Sequence, residues 1–360
     1  MNLSETYPKS VQALTTVLGE KEKVYEKIEP YLHVYDGTAK SVKPIAKHIT
    51  IYWLGRAADR MVIRTEGEDD IILSQVKDEA VPTIIFRKIK AVVLRRFMQI
   101  ARKQWELYGE EIKKVAGYDQ SYNFIEQCSI AVGIRGEEKG ALHGRCMMCP
   151  VDVLMGATSG GALYNLVSRF VGDSAYALTP SFERRTGNAV NEVTYTTIMM
   201  TKKMETAEEE RRTGALYTET HVEPGTIFVG KIVLPMISPP ELIHVLWLLY
   251  HPLRIGARTS IQGTLEVHPV AMIGDAFEVG TAYEVAERLV GTTDLKKARE
   301  GVLEYLEKEA KFSSASPVIL LDETIRSKIK ELDILDKELV LELWRNAKRY
   351  VDGVRAYISQ

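Results

Sequence analysis

At 360 residues and 40.6 kDa, with 45% apolar and 27% charged residues, the chain has the make-up of a globular protein with a sizeable core, as one unit with insertions or as two to three smaller ones. A formal net charge of −2 excludes a uniformly basic surface but leaves room for a local cationic patch balanced by acids elsewhere. No apolar run approaches the roughly 18–20 residues that cross a bilayer, and the opening MNLSETYPKS lacks a signal-peptide core, so a cytoplasmic location without membrane partners is expected.

Along the chain, Pro44–Gly55 is rich in β-branched and aromatic residues and predicts a strand. Short strands follow at Met61–Thr65 and Ile71–Val76, and Pro82–Phe86 closes this β-rich start. From Arg87 to about Val115 the apolar residues Ile89, Val92, Val93, Phe97, Ile100, Ala101 and Trp105 recur at helical spacing, with basic residues between them. A loop-rich knob carrying all the cysteines comes next. Ala162–Phe170 reads as a helix leading to a strand at Val171–Leu178. Val193–Met200 and Ala215–His221 read as strands on either side of the charged segment Thr201–Thr213, a long hairpin. Gly225–Pro235 is a further strand, and Pro239-Pro240-Glu241 suits the first turn of a helix whose apolar run is Leu242–Tyr250. Leu253–Ser260 reads as a glycine-containing basic loop and Thr264–Ile273 as a strand. From Ala282 onward amphipathic helices dominate, Asp336–Ile358 being the clearest.

This order predicts an α+β fold: a ferredoxin-like, RNA-recognition-motif-like core with helical, zinc-binding and β-hairpin insertions and C-terminal helices. The core would comprise residues 1–86 and 161–280, interrupted by a helical insertion at 87–119 and a zinc-binding insertion at 120–160. A hairpin spans about 179–215 and a C-terminal helical region 281–360. Many unrelated enzymes share that topology, so it does not by itself give a function.

The three cysteines and the nearest histidine fall in one stretch, Cys128 and then His143-Gly-Arg-Cys146-Met-Met-Cys149-Pro150. As C…H-x-x-C-x-x-C this is a four-ligand set for a tetrahedral zinc ion. The alternatives are small buried hydrophobes or a redox pair. Four protein ligands would leave no position for water, which points to a structural rather than a catalytic metal. A zinc deaminase would need a His-x-Glu upstream, whereas Gly144 and Arg145 follow His143. Clustered cysteines without a paired framework fit a reducing compartment, and six Asn with eight Gln against abundant Glu, Lys and Arg fit a thermophilic source.

Cationic candidates lie elsewhere. Arg184-Arg185-Thr186-Gly187 recurs as Arg211-Arg212-Thr213-Gly214, one copy near each end of the expected hairpin, so a closed hairpin would join the pairs into one phosphate-binding patch. Two ordinary turns with solvated charges are the alternative. Arg254-Ile-Gly-Ala-Arg258-Thr-Ser260 combines small residues with two cations, as an anion-binding turn would, but lacks the Gly-Lys-Ser/Thr ending of a Walker loop. Lys47, His48, Arg56, Arg60 and Arg64 flank the first strand. With only Tyr52 and Trp53 nearby for stacking, they favour gripping a backbone over reading bases. The run Glu208-Glu209-Glu210 reads as a solvated loop. No G-x-S-x-G, no H-E-x-x-H and no obviously spaced carboxylate pair is present, so a non-enzyme is expected.

Together these pieces resemble the type I-D member of the CRISPR-associated backbone proteins, the seventh Cas family within the repeat-associated mysterious protein superfamily. The resemblance rests on the zinc cluster ahead of a Gly-rich stretch, Ser168-Arg169…Gly172-Asp173-Ser174-Ala175-Tyr176-Ala177-Leu178, Arg184–Val190, Arg211–Thr220, Val222–Phe228 and Gly256–Ser260, and covers roughly Lys43 to Ile273. It implies a non-catalytic subunit that polymerises along a CRISPR RNA. Such a subunit grips the sugar-phosphate backbone largely without regard to sequence and presents bases to target DNA beside other copies of itself and other complex subunits. It further implies that the projecting hairpin is about Thr179–Ala215, the zinc module about Gln120–Pro150, and that Gly256–Ser260 touches the RNA. A zinc-assisted nuclease or hydrolase on a similar fold is the rival expectation.

Overall fold

The computed structural model describes residues 2–19, 24–63, 71–129, 144–158, 164–179, 190–198, 214–258, 261–309, 318–319 and 323–360. Three helices, α1 (Leu3–Thr6), α2 (Pro8–Leu18) and α3 (Val24–Ile28), lead into β1 (His48–Ala57), which is buried from Ile49 through Gly55 and so is covered on both faces. Next come β2 (Leu73–Val76), β3 (Glu79–Ile84), the long α4 (Phe86–Ala116), α5 (Phe124–Gln127) and α6 (Pro150–Met155). After β4 (Val171–Gly172) and β5 (Ala175–Ala177), a hairpin of β6 (Val190–Ile198) and β7 (Gly214–Val222) precedes β8 (Ile227–Pro235) and α7 (Pro239–Leu249). β9 (Leu253–Arg258), β10 (Ile261–Asp275), α8 (Ala282–Leu289), α9 (Leu295–Glu309), β11 (Val318–Ile319), α10 (Glu323–Glu331) and α11 (Lys337–Ile358) complete the chain.

The main sheet runs β11-β10-β1-β8-β5-β3-β2, with β4 also on β8 and β9 on β10, and every pairing is antiparallel. In chain order β1, α4, β5, β8, α7 and β10 alternate strand–helix–strand–strand–helix–strand, and in space those strands lie β10-β1-β8-β5. The mixed α+β class expected from sequence is therefore observed.

Local chemistry explains the elements that position the site. In α4, Ile89, Val93, Phe97, Ala101 and Gln104 recur every three or four residues and form one buried face. Gly117, at φ +74°, ends that helix in the left-handed conformation that side chains disfavour. α7 starts with a reciprocal cap: Ser238 receives the backbone of Glu241, whose carboxylate accepts the Ser238 N–H at 3.0 Å, and Pro239 occupies the first helical position. Asp336 caps α11 by accepting the Glu338 and Leu339 N–H groups at 3.1 Å each.

Four expectations need correction. Met61–Ile63, the described part of the expected strand Met61–Thr65, makes only a single bridge from Met61 to Val222. Residues 164–170 are not helical; Leu166 instead bridges Ala157, and the chain then threads the buried Arg169 inward. Leu253–Arg258 is a strand, because Leu253 and Ile255 are buried while Arg254 between them is exposed, a two-residue alternation that pairs with β10. The segment from Val171 to Leu178 is two strands, broken at Asp173-Ser174. β6 and β7 do form the expected hairpin, in continuous register from Val190↔Val222 to Ile198↔Gly214.

Candidate metal centre and nucleic-acid interface

α5 ends at Cys128, its C-cap, and α6 begins after Cys149, its N-cap, so two helix ends present thiols to one point. Their Sγ atoms are 3.8 Å apart, and Cys146 completes the trio. The fourth group is Asp152, with carboxylate oxygens 3.7 and 3.9 Å from Cys128 Sγ. One donor atom from each of Cys128, Cys146, Cys149 and Asp152 lies within 4.8 Å of the others, a set that can hold a metal ion. His143, expected as the fourth ligand, lies outside the described residues. Asp152 was absent from the expected set, although its place three residues after Cys149, in the first turn of a helix opened by Pro150, brings it alongside that sulfur.

The surroundings hold these groups in place. Asp152 accepts hydrogen bonds from Met147 N–H at 2.7 Å and from Arg145 Nε at 2.5 Å, and its own N–H points to Cys149 Sγ at 3.4 Å. The Tyr122 hydroxyl donates to Cys146 Sγ at 3.2 Å. Burial pushes the Asp152 carboxyl up to about 6 and raises the Cys146 and Cys149 thiols, whereas hydrogen bonds from those two lower Cys128 to about 5. Around them Tyr118 stacks on Tyr122 (4.9 Å between centroids), Trp105 meets Tyr122 edge-on (5.2 Å), and Trp344 of α11 contacts Trp105 and Phe124 (5.2 and 5.0 Å). The cluster thus joins α4 to α11.

A second feature is cationic. Arg87, Lys88, Ala91, Val92 and Arg95 lie on one stripe of the first turns of α4 and, with Ile255 and Gly256 of β9, line a cleft of about 590 Å³. Arg87 and Arg95 are exposed, as is Arg254 on the same β9 strand. The sequence showed these α4 cations only as the polar positions of a helix; what marks them is the glycine-bearing strand packed opposite.

The other expected cations vary in their surroundings. Lys47 donates to the Leu32 carbonyl at 2.8 Å, and His48 Nδ1 is 2.9 Å from the Ala276 carbonyl. Arg56 grips Glu266, its cross-strand partner, through Nε and Nη2 at 2.9 and 2.7 Å. Arg60 is exposed. Arg258 pairs with Ile261 at the turn between β9 and β10. Arg64, Arg184, Arg185, Arg211, Arg212 and the Glu208-Glu209-Glu210 run lie outside the described residues. The register sets Val190 at one end of the hairpin and Gly214 at the other, so the expectation that closing the hairpin joins the two arginine pairs into one patch gains no support from it. No helix among the described residues is long and apolar enough to cross a membrane.

A family model described as Csc2 Crispr matches residues 34–349. The chain belongs to the Csc2 CRISPR family. The resemblance drawn from its motifs to type I-D CRISPR backbone proteins is therefore borne out. The crystal structure of Csc2 from Thermofilum pendens superposes with a TM-score of 0.64 at 24% identity, covering 94% of this chain and 97% of that one. A CRISPR RNA-guided surveillance complex in a pre-nicking state gives a TM-score of 0.47 at 8% identity, over 75% of this chain and 90% of that one. A type IV-B CRISPR complex gives 0.36 at 12% identity, over 61% and 90%. No curated protein is a significant match.

Two motifs of this Csc2 family member turn out to build the fold. Arg169, in the Ser168-Arg169 pair, is buried in an ion pair with Glu241, donates Nη1 to the Met236 carbonyl at 3.1 Å and lies between the rings of Tyr35 and Tyr350. Its guanidinium thereby clamps the start of α7 to α11. In Gly172-Asp173, a Cβ on the glycine would meet the Lys231 carbonyl at 2.2 Å, so only glycine lets β4 close on β8. Asp173 then accepts the Ala282 N–H at 2.8 Å and pairs with buried Lys231 at 3.3 Å, tying α8 to the sheet.

Proposed function

We propose that this chain is a guide-RNA-binding backbone subunit of a type I-D CRISPR surveillance complex, gripping the RNA sugar-phosphate backbone without catalysing its cleavage. The observation that carries this is the cleft in which Arg87, Lys88 and Arg95 of α4 face Ile255 and Gly256 of β9, with Arg254 exposed on the same strand. Guanidinium forks match phosphate oxygens, and a glycine lets a backbone come close. Arg254 and Arg258 are the expected contacts that flank it, with Arg60, Arg64 and the pairs Arg184/Arg185 and Arg211/Arg212 as further grips. Lys47 and His48 at the start of β1 and Arg56 at its other end, beside Glu266, remain expected contacts of the same RNA. The strand order β10-β1-β8-β5 with α4 and α7 as crossovers supports an RNA-recognition-motif-like core in which α4, within the expected 87–119 insertion, is the first helix of the core, with residues 120–160 and the hairpin as insertions and 281–360 as a helical extension. Membership of a family described as Csc2 Crispr supports a CRISPR RNA as partner, and the resemblance implies target DNA by guide pairing, further copies of the chain and other complex subunits, in the cytoplasm.

The metal is proposed to be a structural zinc. Tetrahedral zinc–sulfur bonds of about 2.3 Å set sulfurs about 3.8 Å apart, and Cys128 and Cys149 stand at 3.8 Å. Zinc would draw the protons off the thiols and carry their charge, binding α5 to α6 beneath α4 and α11. Four protein donors leave it no open position for water, which supports staple over catalyst.

The test is fluorescence anisotropy with labelled single-stranded RNA across a salt series. Reversing Arg87 and Arg95 to Glu is expected to weaken binding at least about 10-fold and to flatten the salt slope by about 1.4, or ~0.7 per phosphate released, with an unchanged circular dichroism spectrum. Equal affinity in that double variant and in Arg254→Glu overturns the assignment of the cleft.

A further inference from the structure

We propose that Asp152, rather than His143, supplies the fourth bond to the metal, making the centre a three-thiolate, one-carboxylate site. This rests on the structural-zinc assignment above and specifies it. Asp152 has no exposed surface and sits on a helix whose six residues are all buried, so its carboxylate has no access to water. It faces three cysteines at contact range, and one donor atom of each of the four lies within 4.8 Å of the others, the spacing of groups that share one metal ion. The oxygens at 3.7 and 3.9 Å from Cys128 Sγ are where an oxygen donor belongs, since bonds of about 2.3 and 2.0 Å at a tetrahedral angle span about 3.5 Å.

The remaining contacts of the carboxylate suit a ligand. Each oxygen keeps one lone pair for a hydrogen bond, one from Arg145 Nε and the other from Met147 N–H, which fixes the carboxylate's rotation. Three thiolates and a carboxylate around a dication leave a net charge of −2, which the Arg145 guanidinium reduces. The helical spacing from Cys149 to Asp152 delivers sulfur and oxygen to the same side from one turn. Gly144, the residue next to His143, lies exposed at the rim of the module, and its carbonyl accepts the Ser129 N–H at 3.1 Å. On this proposal the zinc affinity does not depend on His143.

Zinc-edge X-ray absorption on the full-length protein as purified tests this without any variant. The expected spectrum has three sulfurs at about 2.3 Å and one oxygen at about 2.0 Å, with no outer-shell imidazole scattering. Zinc titrations against a chromophoric chelator give the second measurement. His143→Ala is expected to keep one zinc per chain at wild-type affinity, while Asp152→Ala loses more than the ~10–100-fold typical of an outer hydrogen-bonding partner. Imidazole scattering in the wild type that disappears in His143→Ala overturns the proposal and makes Asp152 a bracket for Met147 and Arg145. Wild-type protein that neither contains zinc nor takes it up overturns the zinc assignment itself.

Discussion

The two halves of α4 use one helix for opposite ends. In the first half, Arg87, Lys88 and Arg95 border an open cleft while Ile89, Val93 and Phe97 hold the helix to the core. In the second half, Trp105 lies in an aromatic cluster with Tyr122, Phe124 and Trp344, directly over the cysteine pocket. Between them Gln104 is fully buried: its amide oxygen accepts from Trp344 Nε1 at 3.1 Å, and its nitrogen points to His244 Nε2 at 3.1 Å. One helix thus carries a packed aromatic end and an exposed cationic end.

Three experiments test that division. The largest effect belongs to the closed end. Cys149→Ser, or removal of the metal with a chelator, is expected to lower Tm by about 10 °C or more, while RNA affinity measured below the transition stays within about threefold of wild type. A variant that melts normally but no longer binds RNA would exchange the roles of the two halves.

Acid titration probes His244 of α7, the buried partner of Gln104. Burial lowers the His244 pKa from 6.5 to about 4, and its Nδ1–H donates to the Pro240 carbonyl at 2.7 Å, so the native ring is neutral. The unfolded chain binds this proton at higher pH than the folded one. The contribution is therefore complete above pH 6.5 and is lost as the pH falls toward 4, by about 3 kcal/mol in all. Urea denaturation at pH 7 and pH 4.5 should show that loss in wild type and a much flatter response in His244→Gln; equal pH responses would mean that the ring is already charged in the fold.

The finest comparison is between two arginines seven residues, or about two turns, apart. Arg95 faces the cleft, whereas Arg102 Nη2 donates to the Cys128 carbonyl at 3.1 Å. Arg102→Ala is expected to cost about 1 kcal/mol in chemical denaturation and to leave RNA affinity unchanged. A clear loss of RNA binding there would extend the interface into the second half.

How far the sequence could be read follows from the same contrast. The three cysteines were legible because residues this rare seldom gather at ligand spacing by chance, and α4 and α11 were legible from long apolar periodicity. Asp152 was not, because one carboxylate among 49 acidic residues acquires meaning only when a helix turn sets it against Cys149. Leu253–Ser260 reads as a loop in the sequence because Gly256 and two arginines mask the alternation of Leu253 and Ile255, which the long neighbouring strand β10 enforces. Arg87 and Arg95 passed as the polar side of an amphipathic helix until β9 supplied the opposite wall. The Ser168-Arg169 and Gly172-Asp173 motifs identified the family, yet their chemistry is that of a buried clamp and a tight strand contact.

The hydrogen bond from Ser129 N–H to the Gly144 carbonyl brings the two ends of an intervening 14-residue segment to one point on the rim of the cysteine module. A segment that departs and returns across one such bond is a natural splice site, since closing the gap with a short turn asks little of the chain. Exchanging residues 130–143 for a Gly-Asn turn, or for a reporter whose termini lie close together, gives a handle for labelling the molecule on a face set by Cys128 and Cys146 rather than by the cationic cleft.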